Sequence, residues 1–391
     1  MPWAVVWNGN AGDGQAKQFL DQDVRRYVEE SLEKDHQQVT YFQTEADSGA
    51  RRIAQRLCKE KGLRVVLLGG DGTVHEFLEG ALQGGAHQLH PIQLVIFPTG
   101  TANALYASLY RPVVRAEDKD DWRWLAMHCA NGAQSYPLTL MRIDSGDTRY
   151  ACVVVSHALH AAILRDSESL RAEHPGLDRF KIAAAQNASC WWNARLILHR
   201  APSRAVTRYD TDTDSFEEIK NGYEMTQQGD VIVDGPFAYM NAMVVERLEP
   251  TFVPAPFASG HCKPSLRRSN EELDVIVIRP TQSPILDRDA SESQRSAFGH
   301  GPLTQVLFEG MYREGTHVKF KYNSDGSVTT HGDGPTVVEY FRASGYSWHA
   351  NDDHASTTCI DGTVIQSRNV KVNALPQDAI TVRANPPMAV S

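Results

Sequence analysis

The sequence predicts an α/β + β protein, with a parallel-sheet α/β domain over residues 1–136 followed by a mostly antiparallel β domain over 137–391. Three observations lead there. Short β-branched apolar runs alternate with helix-period segments up to residue 110. Glycine-rich turns follow the ends of those runs. From about Pro137 strand-like runs dominate, with one helical interruption.

The bulk properties agree with an ordinary globular chain. Its 391 residues suffice for two domains with separate cores, and 41% hydrophobic and 22% charged residues are unremarkable proportions. A net charge of −9 argues against nucleic acid as a main partner, because phosphate backbones want a basic face. The six cysteines, at 58, 129, 152, 190, 262 and 359, form no CxxC pair and no metal-ligand spacing. They are expected as buried reduced thiols, which fits a cytoplasmic protein. The amino end, MPWAVVWNGNAGDGQ, lacks a basic segment followed by a long apolar one, so no signal peptide is expected. No apolar run approaches the roughly 20 residues of a membrane span, so any membrane contact is peripheral.

In the first domain Ala4–Trp7, Val39–Phe42, Val65–Leu68 and Leu94–Phe97 read as strands. After Thr73, the residues Val74, Phe77, Leu78, Ala81 and Leu82 fall on one helical face, as do Ala102, Leu105, Tyr106 and Leu109 after Thr101. Strand–helix alternation gives a mainly parallel sheet covered on both faces, with ligands at the carboxyl ends of its strands. In the second domain strands are expected at Tyr136–Ile143, Ala151–Ser156, Ala238–Val245, Leu273–Ile278, Val318–Tyr322 and Val370–Val372. Ala158–His199 reads as the helical stretch. Residues 203–233, 281–303 and 323–357 read as loops or insertions, and Trp191 and Trp192 as core.

The chemistry is expected in Val65-Val-Leu-Leu-Gly-Gly-Asp-Gly-Thr-Val-His-Glu76. Gly69, Gly70 and Gly72 let the backbone approach a bulky anion without a Cβ in the way. A helix begins at once, so its free N–H groups and dipole face that anion. Asp71 sits where a carboxylate can accept a proton from an attacking hydroxyl or help hold Mg²⁺. A lone Gly-Asp-Gly is usually a solvated turn, whereas Gly-Gly-Asp-Gly-Thr between strand and helix is far more specific. Two further turns have the same character: Phe97-Pro-Thr-Gly-Thr-Ala-Asn-Ala-Leu105, and Asn8-Gly-Asn-Ala-Gly-Asp-Gly14. Three such loops on one sheet edge describe a nucleotide site that is not a Walker P-loop, since GxxxxGK[ST] is absent.

Together these residues resemble the diacylglycerol kinase and sphingosine kinase superfamily over essentially the whole chain, most strongly in 5–110. The resemblance implies an ATP-binding α/β domain followed by a β-sandwich lipid-binding domain, with the site between them. It implies ATP and Mg²⁺ as cofactors, a lipid hydroxyl as acceptor and Asp71 as the base. It assigns Asn8, Gly12 and Gly14 to the first nucleotide motif, Thr44 to the end of the second strand, and Gly69, Gly70, Gly72 and Thr73 to the second motif. Gly100, Thr101 and Asn103 form the third. Asp166-Ser-Glu-Ser-Leu-Arg171 followed by Asp178-Arg179-Phe180 resembles a segment whose two arginines reach the ATP phosphates, so Arg171 and Arg179 inherit that role. Asp361 and Gly362 resemble the Asp-Gly-Glu motif that closes the ATP site.

The chain departs from that pattern at three positions. Thr363 replaces the Glu of Asp-Gly-Glu, and Ala102 replaces a glycine. Leu164 stands where sphingosine kinases carry an Asp that pairs with the amine of the base, and Asp166 is the nearest carboxylate left for the lipid. The acceptor expected first is a sphingoid long-chain base in sphingolipid metabolism, with ceramide or diacylglycerol as alternatives. Other readings are a catalytically degenerate lipid-binding protein of the same fold and, more distantly, an NAD kinase. Peripheral association with intracellular membranes follows from a lipid acceptor. Which residues ligate a metal is left open.

Overall fold

The structure, a computed structural model, describes residues 3–384 except 13, 34–37, 47, 87–90, 111–133, 175, 177 and 259–261. Strands β1 (Trp3–Trp7), β2 (Val39–Gln43), β3 (Arg64–Gly69) and β4 (Ile92–Pro98) pair in parallel in the order β2–β1–β3–β4. Val65, Val66, Leu67 and Leu68 are all fully buried, as a central parallel strand with both faces covered requires. β2 forms the half-exposed edge.

The opposite edge departs from the domain boundary read at 136/137. β4 pairs in parallel with Ile380–Ala384, which pairs in turn with Gln134–Pro137. The chain therefore returns from the second domain to finish the first sheet. Ile380 and Val382 are fully buried there, covering an edge of β4 that would otherwise present unpaired backbone.

Residues between these returns build two antiparallel sheets, of eight and seven strands. They meet where His157, at the end of Val154–His157, stacks on Trp348 of Gly345–Ala350 at 4.3 Å between ring centroids. His157 also lies 3.0 Å from the Tyr346 hydroxyl, and Phe237 packs on Trp348. The sandwich expected from the resemblance is thus present.

Several local expectations fail for identifiable reasons. The helical stretch Ala158–His199 is two helices, Ala158–Ser169 and Asp178–Asn187, followed by the strand Ala194–His199. Leu196 and Leu198 are buried with Arg195 exposed between neighbours, a period of two within a run that looks continuously apolar. The supposed loops contain the strands Thr207–Asp210, Ser215–Glu218, Val231–Asp234, Glu339–Ala343 and Gly345–Ala350, and the helix Glu292–Phe298. Charged residues disguised Glu339–Ala343. Glu339 is buried against Arg279 at 2.7 Å and Arg342 against Asp274 at 3.0 Å, so paired charges occupy positions that read as solvated. Tyr136–Ile143 breaks at 138–139, its halves joining different sheets. Val318–Tyr322 yields a turn of 3₁₀ helix and the two-residue strand Lys321–Tyr322. Trp191 and Trp192 are core residues, and Cys58, Cys152 and Cys359 are buried free thiols, with Cys190 and Cys262 half-buried. Cys129 lies outside the described residues.

Candidate active site

Three loops leave the carboxyl ends of β1, β3 and β4 and touch backbone to backbone. A Cβ added at Gly100 would lie 2.2 Å from the Gly70 Cα, and one at Gly12 would lie 2.5 Å from the Thr99 carbonyl oxygen. Gly12 also has a φ of +58°, which a side chain disfavours. Side chains lock the contact. The Asn8 Nδ2 donates to Thr73 Oγ1 at 3.0 Å, and its backbone N–H donates to the Leu68 carbonyl at 2.9 Å. Asn103 closes the third loop on itself, accepting from the Gly100 N–H at 2.9 Å and donating to the Gly100 carbonyl at 2.8 Å. The positive φ of that loop falls at Asn103 (51°) and not at Ala102, so an alanine is accommodated at 102. The N–H of Thr44 donates to the Trp7 carbonyl at 2.9 Å, bringing the end of β2 beside the first loop.

Gly72 differs from its neighbours. It is the second residue of the helix Asp71–Gln83, its φ is ordinary, and a Cβ there would meet nothing within 4 Å. Nothing among the described residues requires glycine at 72, and the space above it is open.

Asp71 caps the next helix. Its carboxylate accepts the N–H groups of Ala104 at 2.9 Å and Leu105 at 3.0 Å, which ties the second loop to the start of Ala104–Tyr110. Burial raises its carboxyl above the usual range, the amides of Leu105 and Ala104 oppose this, and the charge of Asp361 raises it further. Asp361 comes from the other domain. Its buried carboxylate accepts from the amides of Cys152 (2.6 Å), Val153 (3.0 Å) and Val154 (2.8 Å), and lies 3.3 Å from His75 Nδ1. Asp361 (φ 45°) and Gly362 (φ 93°) form a left-handed turn that carries this carboxylate. His75 lies one turn along the helix that Asp71 begins, so the Asp-Gly turn clamps the two domains at the glycine loops. Burial alone would lower the His75 pKa, but the hydrogen bond and charge of Asp361 outweigh it, and the net shift is upward. Glu79, paired with Arg51, flanks the other side of the ring.

The arginines separate. Arg179 is 8% exposed, and its Nε and Nη1 donate no hydrogen bond among the described residues; burial lowers its pKa, and the charge of Arg171 adds to that. Glu168 is 3.8 Å from Nη1, too far to satisfy it. A buried guanidinium with idle donors is expensive and marks an anion site. Arg171 instead is 61% exposed and forks onto Glu168 at 2.8 and 2.7 Å.

Ala102 and Phe180, next to Arg179, border an apolar cavity of about 210 Å³ that also touches Leu164, Tyr239, Leu307 and Phe308. Leu164 therefore faces the cavity. Asp166 does not line it: its carboxylate is held by Arg165 at 2.6 and 2.9 Å and by Asn187 at 2.8 Å. Asp166 does not share the face of Leu164, because two positions along a helix turn a side chain to another face. The structure thus brings Asn8, Gly12, Gly69, Gly70, Gly72, Thr73, Gly100, Asn103, Asp71 and Asp361 together and leaves Arg171 in solvent. Sequence reasoning missed His75 and the three amides at 152–154. His75 lay inside the informative motif, but its partner is distant in sequence.

Known proteins resemble this chain in its first region and in its fold. Residues 2–134 match the family model of the diacylglycerol kinase catalytic domain. The fold is similar to two crystal structures of a candidate diacylglycerol kinase from Bacillus anthracis strain Sterne, each with a TM-score of 0.58 and 12% identity, covering 98% of this chain and 97% of that one. A third, of a diacylglycerol kinase from the same strain, aligns at a TM-score of 0.52, with the same identity and coverage. No curated protein matches the sequence. Residues 2–134 thus carry a diacylglycerol kinase catalytic domain, which supports a lipid kinase, within a fold shared along the whole chain with those structures.

Proposed function

We propose that the acceptor is the hydroxyl of a single-chain lipid, a sphingoid long-chain base before ceramide or diacylglycerol. The observation that carries this is the cavity beside Ala102. Its roughly 210 Å³ falls below the about 300–1,000 Å³ of ordinary ligand pockets, which favours a slender alkyl chain over a bulkier group. Its apolar lining suits that chain, and its edge at Ala102 puts the polar end beside the third glycine loop.

Kinases of this family use ATP and typically a divalent metal. The protein fits the nucleotide: the open space over Gly72 and the idle donors of Arg179 are what a polyphosphate would fill. It fits a protein-held metal poorly. Asp361 spends its oxygens on three backbone amides, Thr363 stands in place of an acid, and no group of three His, Cys, Asp or Glu side chains suits a metal among the described residues.

Bound ATP supplies the phosphoryl group; the rest is positioning and electrostatics. The loops at 8–14, 69–73 and 99–103 hold phosphate oxygens with backbone N–H groups, and Arg179 adds charge without reorganising. Asp71 accepts the hydroxyl proton. Two amides leave part of the about four acceptor sites of a carboxylate free, and burial makes the group more basic. The acceptor comes from a membrane surface. No helix among the described residues is long and apolar enough to span one. Phe308 (45% exposed) and Tyr312 (39%) stack in parallel at the cavity, where an aromatic pair suits interfacial contact.

The test is transfer of labelled phosphate from ATP to sphinganine, ceramide and diacylglycerol in mixed micelles, with Asp71→Asn alongside. Labelled sphinganine, reduced about 10²–10⁴-fold in the variant, is expected. Labelled diacylglycerol alone would overturn the single-chain reading, and undiminished turnover in Asp71→Asn would overturn its role as base. Lipid binding without transfer would favour a degenerate binding protein.

A further inference from the structure

The cavity wall carries one carboxylate that the chemistry above leaves unused. Glu249 borders it, in the short turn between the second-domain strands and the exposed aromatic pair. That turn is built to hold still. The Leu248 N–H donates to the Phe252 carbonyl at 3.1 Å, and the Phe252 N–H returns to Glu249 O at 3.2 Å. Arg247, 5% exposed at its side chain, staples it: its Nη1 donates to the Pro250 carbonyl at 2.6 Å, and Nε and Nη2 reach Glu246 and Glu314 at 2.7 and 2.9 Å. The Arg247 N–H donates to Ser108 Oγ at 3.1 Å, so the turn is also tied to the helix Ala104–Tyr110, whose first amides Asp71 caps. A carboxylate on a fixed turn of an otherwise apolar wall, in a cavity that also reaches Ala102, is placed to meet a polar group of a bound lipid.

The lining chemistry narrows what that group is. The other charged side chain there, Lys181, faces Asp178 at 3.2 Å and is largely solvated. Glu249 accepts from the Tyr312 hydroxyl, which burial first and this carboxylate second keep protonated. One neutral donor leaves most of a carboxylate's acceptor capacity open to a further, cationic donor. Leu164, on the helix Ala158–Ser169, lines the same cavity and offers no charge.

We propose that Glu249 sets headgroup specificity by pairing with the ammonium group of a single-chain amino alcohol, supplying from the 248–252 turn the charge that Leu164 lacks. This rests on the lipid-kinase reading above and adds the residue that chooses the acceptor. An amine next to the reacting hydroxyl is bound by Glu249, while a neutral single-chain alcohol fills the cavity without that contact.

The test is binding of the full chain to sphinganine and to a monoacylglycerol of equal chain length in detergent micelles, for wild type, Glu249→Gln and Tyr312→Phe. Wild type should prefer the amine about tenfold, the worth of one charge-assisted hydrogen bond. Glu249→Gln should lose the preference with unchanged monoacylglycerol affinity, which also reports an intact fold, and Tyr312→Phe should keep it. Equal affinities in wild type, or a preference that survives Glu249→Gln, would overturn the assignment. Phosphate transfer measured on the same samples separates the two claims. An amine preference without transfer leaves Glu249 in place and defeats the kinase reading, whereas transfer to both lipids without preference does the reverse.

Discussion

Replacing Gly72 with alanine separates fold from function at the glycine loops. A methyl group at 72 would meet no protein atom within 4 Å, and the residue sits in the first turn of Asp71–Gln83 with ordinary φ. Alanine should therefore stabilise the helix by up to about 0.5–1 kcal/mol, by lowering the entropy lost on folding. That raises the melting temperature by at most about 2–4 °C. The same methyl occupies the space proposed for phosphate. A displacement of about 1 Å in a reacting group costs about 10²-fold, so kcat/KM for ATP should fall by that order while the protein melts no earlier. Gly100→Ala is the contrast. Its Cβ would lie 2.2 Å from the backbone Cα of Gly70, which cannot rotate away, so it should destabilise by about 1–3 kcal/mol and lose activity through the fold. Calorimetry and initial rates on both variants decide. Wild-type kinetics in Gly72→Ala would refute the cradle, and marked destabilisation would refute the open space above it.

Other perturbations follow from the same geometry. Arg179→Met removes a buried guanidinium with two idle donors, so it should fold at least as stably and lose about 10²–10³-fold in kcat, whereas Arg171→Met, exposed and paired, should lose far less. Equal losses would remove the distinction between the two. The folded pKa of His75 is raised above its ordinary 6.5, so its clamp on Asp361 contributes stability fully below about that pH and loses it as pH rises through the folded value. Asp361, Glu79 and Arg51 all bear on that titration, and a melting-temperature profile should flatten across this window in His75→Gln. Replacing Phe308 and Tyr312 with serine should weaken sedimentation with lipid vesicles; unchanged sedimentation would place the membrane contact elsewhere.

The first sheet was legible because its physics is local. Val65–Leu68 is a run too apolar and too β-branched to be anything but a buried strand, and Gly-Gly-Asp-Gly-Thr fixes the turn that follows. The strand Glu339–Ala343 was not legible. Its Glu339 and Arg342 are buried only because Arg279 and Asp274 meet them from elsewhere in the chain, and pairing of that kind leaves no mark on either segment. The final strand of the first sheet, Ile380–Ala384, was hidden for a related reason: a short alternating run does not say which sheet it will join.

By itself the sequence determined the two architectures, the three glycine loops and the kind of chemistry they serve, since turns, helix starts and buried strands are written over a few neighbouring residues. Only the tertiary structure decided which groups share a site. It set Asp361 on the amides of 152–154 and beside His75, left Arg179 buried with idle donors, and turned Arg171 and Asp166 away. It also brought Glu249 to the wall that Leu164 lines. Those are through-space relations between residues tens to hundreds of positions apart. Burial and charge at each depend on the partner that folding delivers.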